Sequence, residues 1–358
     1  MKVLILGGNG YLGQATAEYL RANGFQVTSI DSDIKSTWMK QMGVSPLIEP
    51  EVDYDIGDAK FLREEYYAGI DAVVHYAEQP SAPFSMYTDK AGFDTVYNNI
   101  TTTLDIILNV RKVNPACHIV KLGTMGEYGT PGVDIPEGYF TYHDRGGEDV
   151  VRSKRMLFPK QPGSLYHTTK VMDSDMIEFG CRVWGLKATD LHQGVVYGSE
   201  TDEMRVTRFY YDAVFGTVLN RFVVQAAMGM PLTVYGKGGQ TRGYLNIRDT
   251  LQCVRLAIEN PPKQGEYRVL NQFTQTFSVQ RLAEIVKRVT GANITSIPNP
   301  RKEMEDHYYW ASNEGFKQLG LRPHLLDDSV IEQMVELAKL YADRVDEKRI
   351  RPEVRWVK

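Results

Sequence analysis

The heptapeptide GGNGYLG at residues 7–13 decides the fold. It follows a short apolar run at residues 3–6 and opens a segment with apolar residues at helical spacing. Gly7, Gly10 and Gly13 allow a tight turn and let a pyrophosphate approach the backbone, where the unpaired amides and positive dipole of a helix N-terminus attract its charge. The pattern therefore predicts a strand, a dinucleotide-binding turn and a helix, in that order.

A carboxylate about 20 residues further on strengthens this prediction. Asp31 follows the second predicted strand, where it can accept hydrogen bonds from the adenosine ribose hydroxyls. The same charge would repel a 2′-phosphate, so the predicted cofactor is NAD rather than NADP. Tyr11, Leu12 and Ala77 complete the predicted cofactor contacts. The competing interpretation is a glycine turn before an ordinary helix.

Apolar runs alternate with helical patterns through the first half of the chain, which is typical of βαβ units and a parallel sheet. The predicted strands span residues 3–6, 26–30, 72–75, 118–122 and 187–191, and the predicted crossover helices span residues 13–22 and 100–111. This rhythm stops after residue 198. We therefore predict an α/β fold with a Rossmann-like, doubly wound parallel sheet, which forms an NAD-binding domain at residues 1–198. Segments around 240–255 return to it, and residues 199–358 form a smaller mixed α/β substrate-binding region.

One segment interrupts the alternation just before Tyr166. Residues 138–163 are polar, charged and dotted with glycines. Segments of this length without regular structure are usually functional or disordered in compact domains. We therefore predict a long loop or lid here.

Composition excludes several classes of function. The 358 residues include 45 acidic and 41 basic side chains, and a net charge of −4 offers no general attraction for nucleic acid or an anionic membrane. No apolar run approaches the roughly 20 residues that span a bilayer, and the strand-like start leaves no room for a leader, so we expect a cytoplasmic protein. Cys117, Cys181 and Cys253 lack metal-ligand spacing, so we expect reduced, structural cysteines and no metal.

The candidate catalytic residues are Thr124, Tyr166 and Lys170. Tyr166 and Lys170 lie four residues apart, hence on one face of a predicted helix. An ammonium there, beside a positively charged nicotinamide, favours the phenolate and so lowers the pKa of Tyr166 from its reference value near 10. Tyr166 can then remove a hydroxyl proton while hydride leaves for NAD. This spacing alone often arises by chance, but Thr124 at a strand end adds a hydroxyl for the same substrate oxygen.

A strand-end hydroxyl, a tyrosine and a lysine in this order resemble the triad of the short-chain dehydrogenase family, and the resemblance covers nearly the whole chain. The 4,6-dehydratases of that family carry Thr-Asp-Glu at the strand end. This chain has Thr124-Met125-Gly126 instead, so the acid and base pair of the dehydratases is missing at those positions.

Longer strings resemble the UDP-sulfoquinovose synthases within that family. They are LGTMGEYGTP at residues 122–131, TDLHQGVVYG at 189–198, YDAVFGTVLNRFVVQA at 211–226 and PLTVYGKGGQTRGYLNIRD at 231–249. A shorter match combines Asn299-Pro300-Arg301 with residues 305–309. The resemblance implies synthesis of UDP-sulfoquinovose from UDP-glucose and sulfite, with NAD recycled.

The chemistry of that family implies a role for each catalytic residue. Oxidation at C4 of the sugar makes the C5 proton acidic, water leaves from C6, sulfite adds to the resulting enone, and hydride returns to C4. Tyr166 would be the C4 base, Lys170 would tune it and Thr124 would orient the 4-hydroxyl. His167 is a candidate for moving protons at C5 or C6, because imidazole titrates near neutral pH. The alternative is a neutral packing histidine.

The resemblance also implies substrate-binding residues. Arg242 and Arg301 resemble diphosphate-binding arginines, whose guanidinium forks suit phosphate oxygens, although either residue could be an ordinary surface arginine. Further candidates are two residues suited to hydrogen bonding and two in a predicted strand beside the uracil: Gln193, Asn220, Thr233 and Tyr235.

Three other features concern the resemblance to UDP-sulfoquinovose synthases and their relatives. Asp55 resembles the adenine-contacting aspartate of the extended short-chain family, with a solvated turn carboxylate as the alternative. Pro80 stands where other UDP-sulfoquinovose synthases have an arginine after Glu-Gln, so any help that this arginine gives to sulfite must come from elsewhere. Residues 32–52 form a shorter segment than in the family.

Two other interpretations stay open at this point. A UDP-glucose 4-epimerase or a related NDP-sugar dehydratase would use the same triad and NAD. A nucleotide-sensing or structural protein would keep the fold without turnover, although the intact triad argues against this. As partners we expect UDP-glucose and sulfite, no nucleic acid, no membrane insertion and a homodimer. Sulfite would arrive either free or from a partner protein.

Overall fold

A seven-stranded parallel sheet forms the centre of the computed structural model, which describes residues 1–145, 151–203, 206–301, 309–352 and 356. In chain order the strands are β1 Lys2–Leu6, β2 Gln26–Asp31, β3 Asp55–Ile56, β4 Ala72–His75, β5 His118–Thr124, β6 Tyr139–Arg145, β7 Val151–Leu157, β8 Lys187–Gln193, β9 Val195–Tyr197, β10 Leu232–Tyr235, β11 Thr241–Asn246, β12 Tyr267–Gln272, β13 Gln275–Ser278 and β14 Ile294–Ile297. The large sheet has the order β12-β8-β5-β4-β1-β2-β3. All five predicted strands are confirmed within it.

Helices cover both faces of this sheet. They are α1 Tyr11–Ala22, α2 Ile34–Met42, α3 Ala82–Ser85, α4 Asp89–Val113, α5 Leu165–Trp184, α6 Val218–Ala227, α7 Ile247–Glu259, α8 Val279–Thr290, α9 Glu314–Gln318 and α10 Asp328–Leu340. Successive side chains of a strand point to opposite faces. Leu4 and Leu6 therefore pack towards α4 and α5, whereas Val3 and Ile5 pack towards α1 and α7. The predicted doubly wound, Rossmann-like sheet is confirmed.

A second apolar core lies outside the large sheet. It combines Leu219 and Phe222 of α6 with Leu282 of α8 and Ile331 of α10. The predicted division at residue 198 stays a prediction. The structure adds that β12 pairs with β8 at the edge of the large sheet, so the chain also returns to that sheet beyond the predicted segment around 240–255.

The predicted long loop at residues 138–163 is wrong for most of its length. Strands β6 and β7 pair as an antiparallel hairpin, from Tyr139 opposite Leu157 onward, and residues 146–150 lie outside the described residues. The base of the hairpin is held in place because the Tyr139 hydroxyl donates to the Tyr267 carbonyl oxygen at 2.9 Å. This contact joins residues 128 positions apart, so local composition could not reveal it.

Two expectations from composition can be compared with the structure. Among the described residues, no helix combines the length and the apolar character needed to cross a membrane. Cys117, Cys181 and Cys253 are all buried and free, as expected for structural cysteines.

A buried ammonium group joins the elements that carry the site. The Lys121 Nζ atom on β5 lies 3.2 Å from a carboxylate oxygen of Glu127 and 3.2 Å from one of Asp190 on β8. It also donates to the Lys170 carbonyl oxygen and the Ser174 hydroxyl on α5, both at 2.8 Å. The side chains of Lys121, Glu127 and Asp190 are fully buried, so the cluster fixes β5, β8 and α5 relative to one another.

The charges in this cluster compensate one another. Glu127, Asp190 and His192 bring potential metal-ligand atoms close together, but Lys121 already supplies positive charge between the two carboxylates. Burial alone would raise the pKa of Glu127, yet Lys121, His192 and Lys160 lower it to about 2. Burial would lower the pKa of Lys121, and the two carboxylates raise it instead.

We predict that Lys121→Met lowers the free energy of unfolding by about 3–5 kcal/mol, because it leaves buried carboxylates without their main counterion. Urea unfolding at neutral pH measures this loss. The matched control, Lys112→Met, breaks an exposed ion pair with Glu64 and should cost at most about 1 kcal/mol. The pKa of Glu127 is lowered from 4.5 to about 2, so the contribution of its ionised form to the free energy of unfolding is fully present above pH 4.5. This contribution is lost as the pH falls towards 2. Equal losses in the two variants would contradict the prediction.

Candidate active site

A cavity of about 310 Å³ opens at the carboxyl ends of the parallel strands, where ligands bind in doubly wound sheets. It is lined by segments that follow β1, β2, β4 and β8. Nine of the predicted site residues line it: Gly7, Gly10, Tyr11, Leu12, Gly13, Asp31, Ala77, Tyr166 and Gln193. The structure thus brings most of the predicted cofactor residues together with Tyr166.

The glycine turn has the geometry that a pyrophosphate requires. Gly7 has a φ of 89°, and a Cβ atom there would collide with the backbone of Tyr76. A Cβ atom on Gly13 would collide with the Gly7 carbonyl oxygen. Helix α1 begins after Gly10 without a side-chain cap, so its first-turn amides are open towards the cavity. These residues fit the phosphates of NAD.

Asp31 is held at the other end of this turn. Its carboxylate accepts hydrogen bonds from the backbone amides of Asn9 and Asp33, both at 2.8 Å. Burial raises the pKa of Asp31, and these two amides lower it. Each carboxylate oxygen keeps a further lone pair for a ribose hydroxyl, so the placement fits the predicted adenosine contact.

Three further residues that line the cavity, Arg208, Lys35 and Asp58, were not predicted from the sequence. Arg208 lines the cavity from the second half of the chain and pairs with Glu49, and its buried Nε atom has no hydrogen-bond partner among the residues that the structure describes. Lys35 also lines the cavity. Asp55 is exposed on the edge strand β3, and Asp58 lines the cavity instead. The adenine contact of Asp55 stays a prediction.

The candidate catalytic residues converge at the end of β5. Thr124 ends this strand, and its hydroxyl oxygen accepts a hydrogen bond from the Gly126 amide at 3.1 Å. Tyr166 and Lys170 lie one turn apart on α5, and the Lys170 Nζ atom donates to the carbonyl oxygen of Leu122, two residues before Thr124. Tyr166 and Leu122 line the same cavity, so the three predicted residues belong to one site.

Glu78 changes the electrostatics of this site and was not predicted. Its carboxylate lies 2.8 Å from the Lys170 Nζ atom, and both side chains are almost completely buried. Burial raises the pKa of Tyr166; Lys170 lowers it, but Glu78 raises it again, and the pKa stays above its ordinary value. Burial is the largest of these effects, and the predicted lowering also includes the charge of a bound nicotinamide, so it stays a prediction.

His167 fills the space beside the strand end. A Cβ atom on Gly126 would collide with the Nε2 and Cδ2 atoms of the His167 ring. The Nδ1 atom of His167 lies 3.0 Å from the Ser164 hydroxyl, and its ring centroid lies 5.1 Å from that of Tyr166. Burial, with the charges of Arg301 and Arg242, lowers the pKa of His167 to about 3, so the ring is neutral at physiological pH.

The predicted diphosphate arginines lie on the same side as His167. Arg242 is on β11, Arg301 follows β14, and both act electrostatically on His167. Arg221 on α6 joins them and was not predicted. It is buried, its Nη1 atom donates to the Tyr235 hydroxyl at 2.9 Å, and its Nε atom has no hydrogen-bond partner in the part of the chain that the structure describes. The sequence signal was present, since Arg221 lies inside the matched string at residues 211–226.

The side chains of the other predicted substrate residues contact other groups of the protein. The Gln193 side-chain amide nitrogen is already bound by Thr250 and Gln272. Asn220 is buried, and its side chain interacts with Tyr11 of the glycine turn. Thr233 lies on the predicted strand, now β10, but Gln225 of α6 occupies its hydroxyl. Of the last matched segment, residues 302–308 lie outside the described residues.

Comparison with known proteins identifies the family. Residues 3–271 match the NAD dependent epimerase/dehydratase family. The chain belongs to this family. Membership in the NAD-dependent epimerase/dehydratase family confirms NAD as the cofactor and confirms a nucleotide-sugar-modifying enzyme as the predicted class.

Sequence identities show which members of the epimerase/dehydratase family this chain is most similar to among the relatives compared. The chain is 46% identical to a UDP-sulfoquinovose synthase of Spinacia oleracea, covering 100% of this chain and 79% of the relative. It is 39% identical to a UDP-sulfoquinovose synthase of Sulfolobus acidocaldarius, covering 100% and 98%. A UDP-glucose 4-epimerase of Corynebacterium glutamicum is 27% identical, covering 96% and 98%. The resemblance to UDP-sulfoquinovose synthases is confirmed.

Solved structures of two 4-epimerases share the fold. A UDP-glucuronic acid 4-epimerase from Bacillus cereus, in complex with UDP-glucuronic acid and NAD, aligns with a TM-score of 0.71 at 19% identity, covering 95% of this chain and 99% of that one. A UDP-glucose 4-epimerase from Bifidobacterium longum, in complex with NAD+ and UDP, aligns with a TM-score of 0.70 at 18% identity, covering 96% and 100%.

Proposed function

We propose that this chain synthesises UDP-sulfoquinovose from UDP-glucose and sulfite. Relatives of that name match the whole chain at 46% and 39% identity, whereas the 4-epimerase relative from Corynebacterium glutamicum reaches 27%. The structural observation that carries the proposal is the His167 ring, which occupies the space beside Gly126 where the dehydratase pattern would place a catalytic carboxylate.

The reaction begins at C4 of the sugar. Bound NAD would accept a hydride from C4 and return it at the end of the cycle. Tyr166 accepts the proton of the 4-hydroxyl, and it lies beside the cavity lined by the glycine turn. The Thr124 hydroxyl oxygen is already oriented by the Gly126 amide, so its own hydrogen is available to donate to the 4-oxygen.

His167 would move the protons at C5 and C6. Its ring is neutral at physiological pH, so it can accept the acidic C5 proton once C4 is a ketone. Bound diphosphate would offset the charges of Arg242 and Arg301 and so raise the pKa of His167, towards the range in which imidazole can also donate a proton. A proton passed to the C6 hydroxyl would let water leave, and sulfite, as bisulfite, would then add at C6 through its sulfur while its proton goes to C5.

The charge that meets sulfite must come from residues other than Pro80, which is exposed at the edge of the cavity. The guanidinium groups that act on His167 are those of Arg301 and Arg242. Together with the buried Arg221 they give this side of the site the positive charge that a diphosphate and a sulfite both need.

The product of UDP-glucose tests the proposed function. We expect a sulfonated UDP-sugar, detected by mass spectrometry, only when sulfite is present, and no net consumption of NAD, because the hydride returns to C4. Omitting sulfite is the matched control. UDP-galactose formed at the same rate with and without sulfite would identify a 4-epimerase and refute the proposal.

His167→Asn separates the C4 step from the later steps. We expect this variant to lose sulfonated product by a factor of about 10²–10⁴, as for other general acid–base residues. It should still reduce bound NAD on addition of UDP-glucose, followed as absorbance at 340 nm. Tyr166→Phe is the matched comparison and should lose both signals while keeping bound NAD. Sulfonated product at the wild-type rate in His167→Asn would remove His167 from the mechanism.

We also propose that the active enzyme is a homodimer formed through α4 and α5. These helices pack side by side, and their outer faces carry exposed apolar side chains at helical spacings. The side chains are Phe93, Tyr97, Leu104 and Leu108 on α4 and Leu165, Met172, Phe179 and Val183 on α5. An extended apolar surface of this kind is typical of an interface, and a second copy related by a two-fold axis would cover it.

Light scattering after size exclusion tests this interface. We expect the wild-type protein to elute at twice the chain mass of 40.6 kDa. Leu108→Glu combined with Phe179→Glu should yield monomers, because burying two uncompensated carboxylates opposes association. Leu340→Glu, on the exposed side of α10, is the control and should stay dimeric. A dimer in the double variant at the same protein concentration would place the interface elsewhere.

A further inference from the structure

Glu78 occupies an unusual position between the cofactor cavity and the catalytic lysine. It follows β4, lines the cavity, and keeps its side chain almost completely buried. One carboxylate oxygen lies 2.8 Å from the Lys170 Nζ atom, and the other lies 3.3 Å from the Nε2 atom of His75. Lys170 is thus held from two sides, by this carboxylate and by the Leu122 carbonyl oxygen.

Lys170 is the direct counterion of Glu78. His75 on β4 also faces it, but burial lowers the pKa of His75 to about 4, so its ring is neutral at physiological pH. On α5, burial and Glu78 raise the pKa of Asp173 well above its ordinary value, so Asp173 is a neutral acid. Lys121 on β5 is nearby, but Glu127 and Asp190 already compensate it.

The ion pair of Glu78 and Lys170 therefore carries almost no net charge beside Tyr166. A lone ammonium one turn away would favour the phenolate, whereas an ammonium with a carboxylate at 2.8 Å exerts a much weaker field. Among the described residues, the ion-pair contacts of the Glu78 carboxylate are with a neutral imidazole and this lysine, an arrangement that would be costly if its purpose were packing alone. Its position at the cavity wall connects it with the reaction.

We propose that Glu78 is a positioning residue of the catalytic site, whose buried carboxylate holds the Lys170 ammonium in place and offsets its charge before that charge acts on Tyr166. The proposal rests on the proposed function only in using Tyr166 as the base at C4, a step that a 4-epimerase would share. Glu78 thereby keeps Tyr166 a phenol over a wider pH range and raises the pH at which it becomes a base.

Glu78→Gln tests the charge while keeping the shape. The amide carbonyl can still accept from Lys170, but the lysine charge is no longer offset, so the pKa of Tyr166 falls. We expect the acidic limb of the pH profile of kcat/KM for UDP-glucose to move to lower pH by about one unit. At a given pH on that limb, kcat/KM as a fraction of its optimum then rises about ten-fold. Sulfite is kept saturating at every pH, so that its own ionisation does not shape the profile.

Glu78→Asp is the matched control, because it keeps the charge and shortens the reach. We expect its acidic limb to stay at the wild-type pH while kcat falls, since Lys170 is held less well. An unchanged limb in Glu78→Gln, or a limb moved to higher pH, overturns the proposal. Thermal unfolding and the NAD content of each purified variant show whether the site is still assembled.

A double-mutant cycle keeps the test decisive if Glu78→Gln folds poorly. Lys170→Met alone strands a buried carboxylate, so Glu78→Gln combined with Lys170→Met should recover most of the lost thermal stability. Additive losses would show that the two groups do not depend on each other and would overturn the proposal. The pH profiles follow whichever product wild-type enzyme forms from UDP-glucose, so a failure of the sulfite assignment leaves this test intact.

Discussion

The buried Lys121 ammonium is the interaction on which the rest of the site depends. It bonds to the α5 backbone at Lys170 and lies between carboxylates at the end of β5 and on β8. Thr124 lies at the end of the same β5 strand, and Tyr166 and Lys170 lie on the same α5 helix. A strand-end hydroxyl and a helix-borne phenol can meet one substrate oxygen only if the strand and the helix are fixed to each other. A buried charge cluster does this with directional contacts that apolar packing lacks.

The two buried lysines between this cluster and the cavity are both paired with carboxylates. Lys121 is balanced by Glu127 and Asp190, and Lys170 is balanced by Glu78. On the substrate side, Arg221 has a buried guanidinium nitrogen without a hydrogen-bond partner among the described residues. The division suits a reaction on a sugar diphosphate: the interior around the phenol stays close to neutral, while the anionic part of the substrate meets guanidinium groups.

The strand end shows how one fold can support different chemistry. Gly126 leaves no room for a side chain because His167 occupies the space, and His167 is adjacent to Tyr166 in sequence. The proposed proton-transfer group, His167, therefore lies on α5 rather than at the strand end. In the proposed reaction the same small region handles the C4 proton through Tyr166 and the C5 and C6 protons through His167, whose neutral ring can act as a base.

The sequence by itself determined the parallel sheet, the glycine turn and the triad of Thr124, Tyr166 and Lys170. These features follow from apolar periodicity and from spacings within one turn or one strand–helix unit, which are local properties of the chain. Only the tertiary structure decided the hairpin of β6 and β7, the addition of β12 to the sheet, and the positions of Asp58, Glu78 and Arg208 at the cavity. Each of these depends on which distant segments the fold brings together and on how burial sets the charge of the groups that meet there. These two conditions are not encoded in the spacing of residues along the chain.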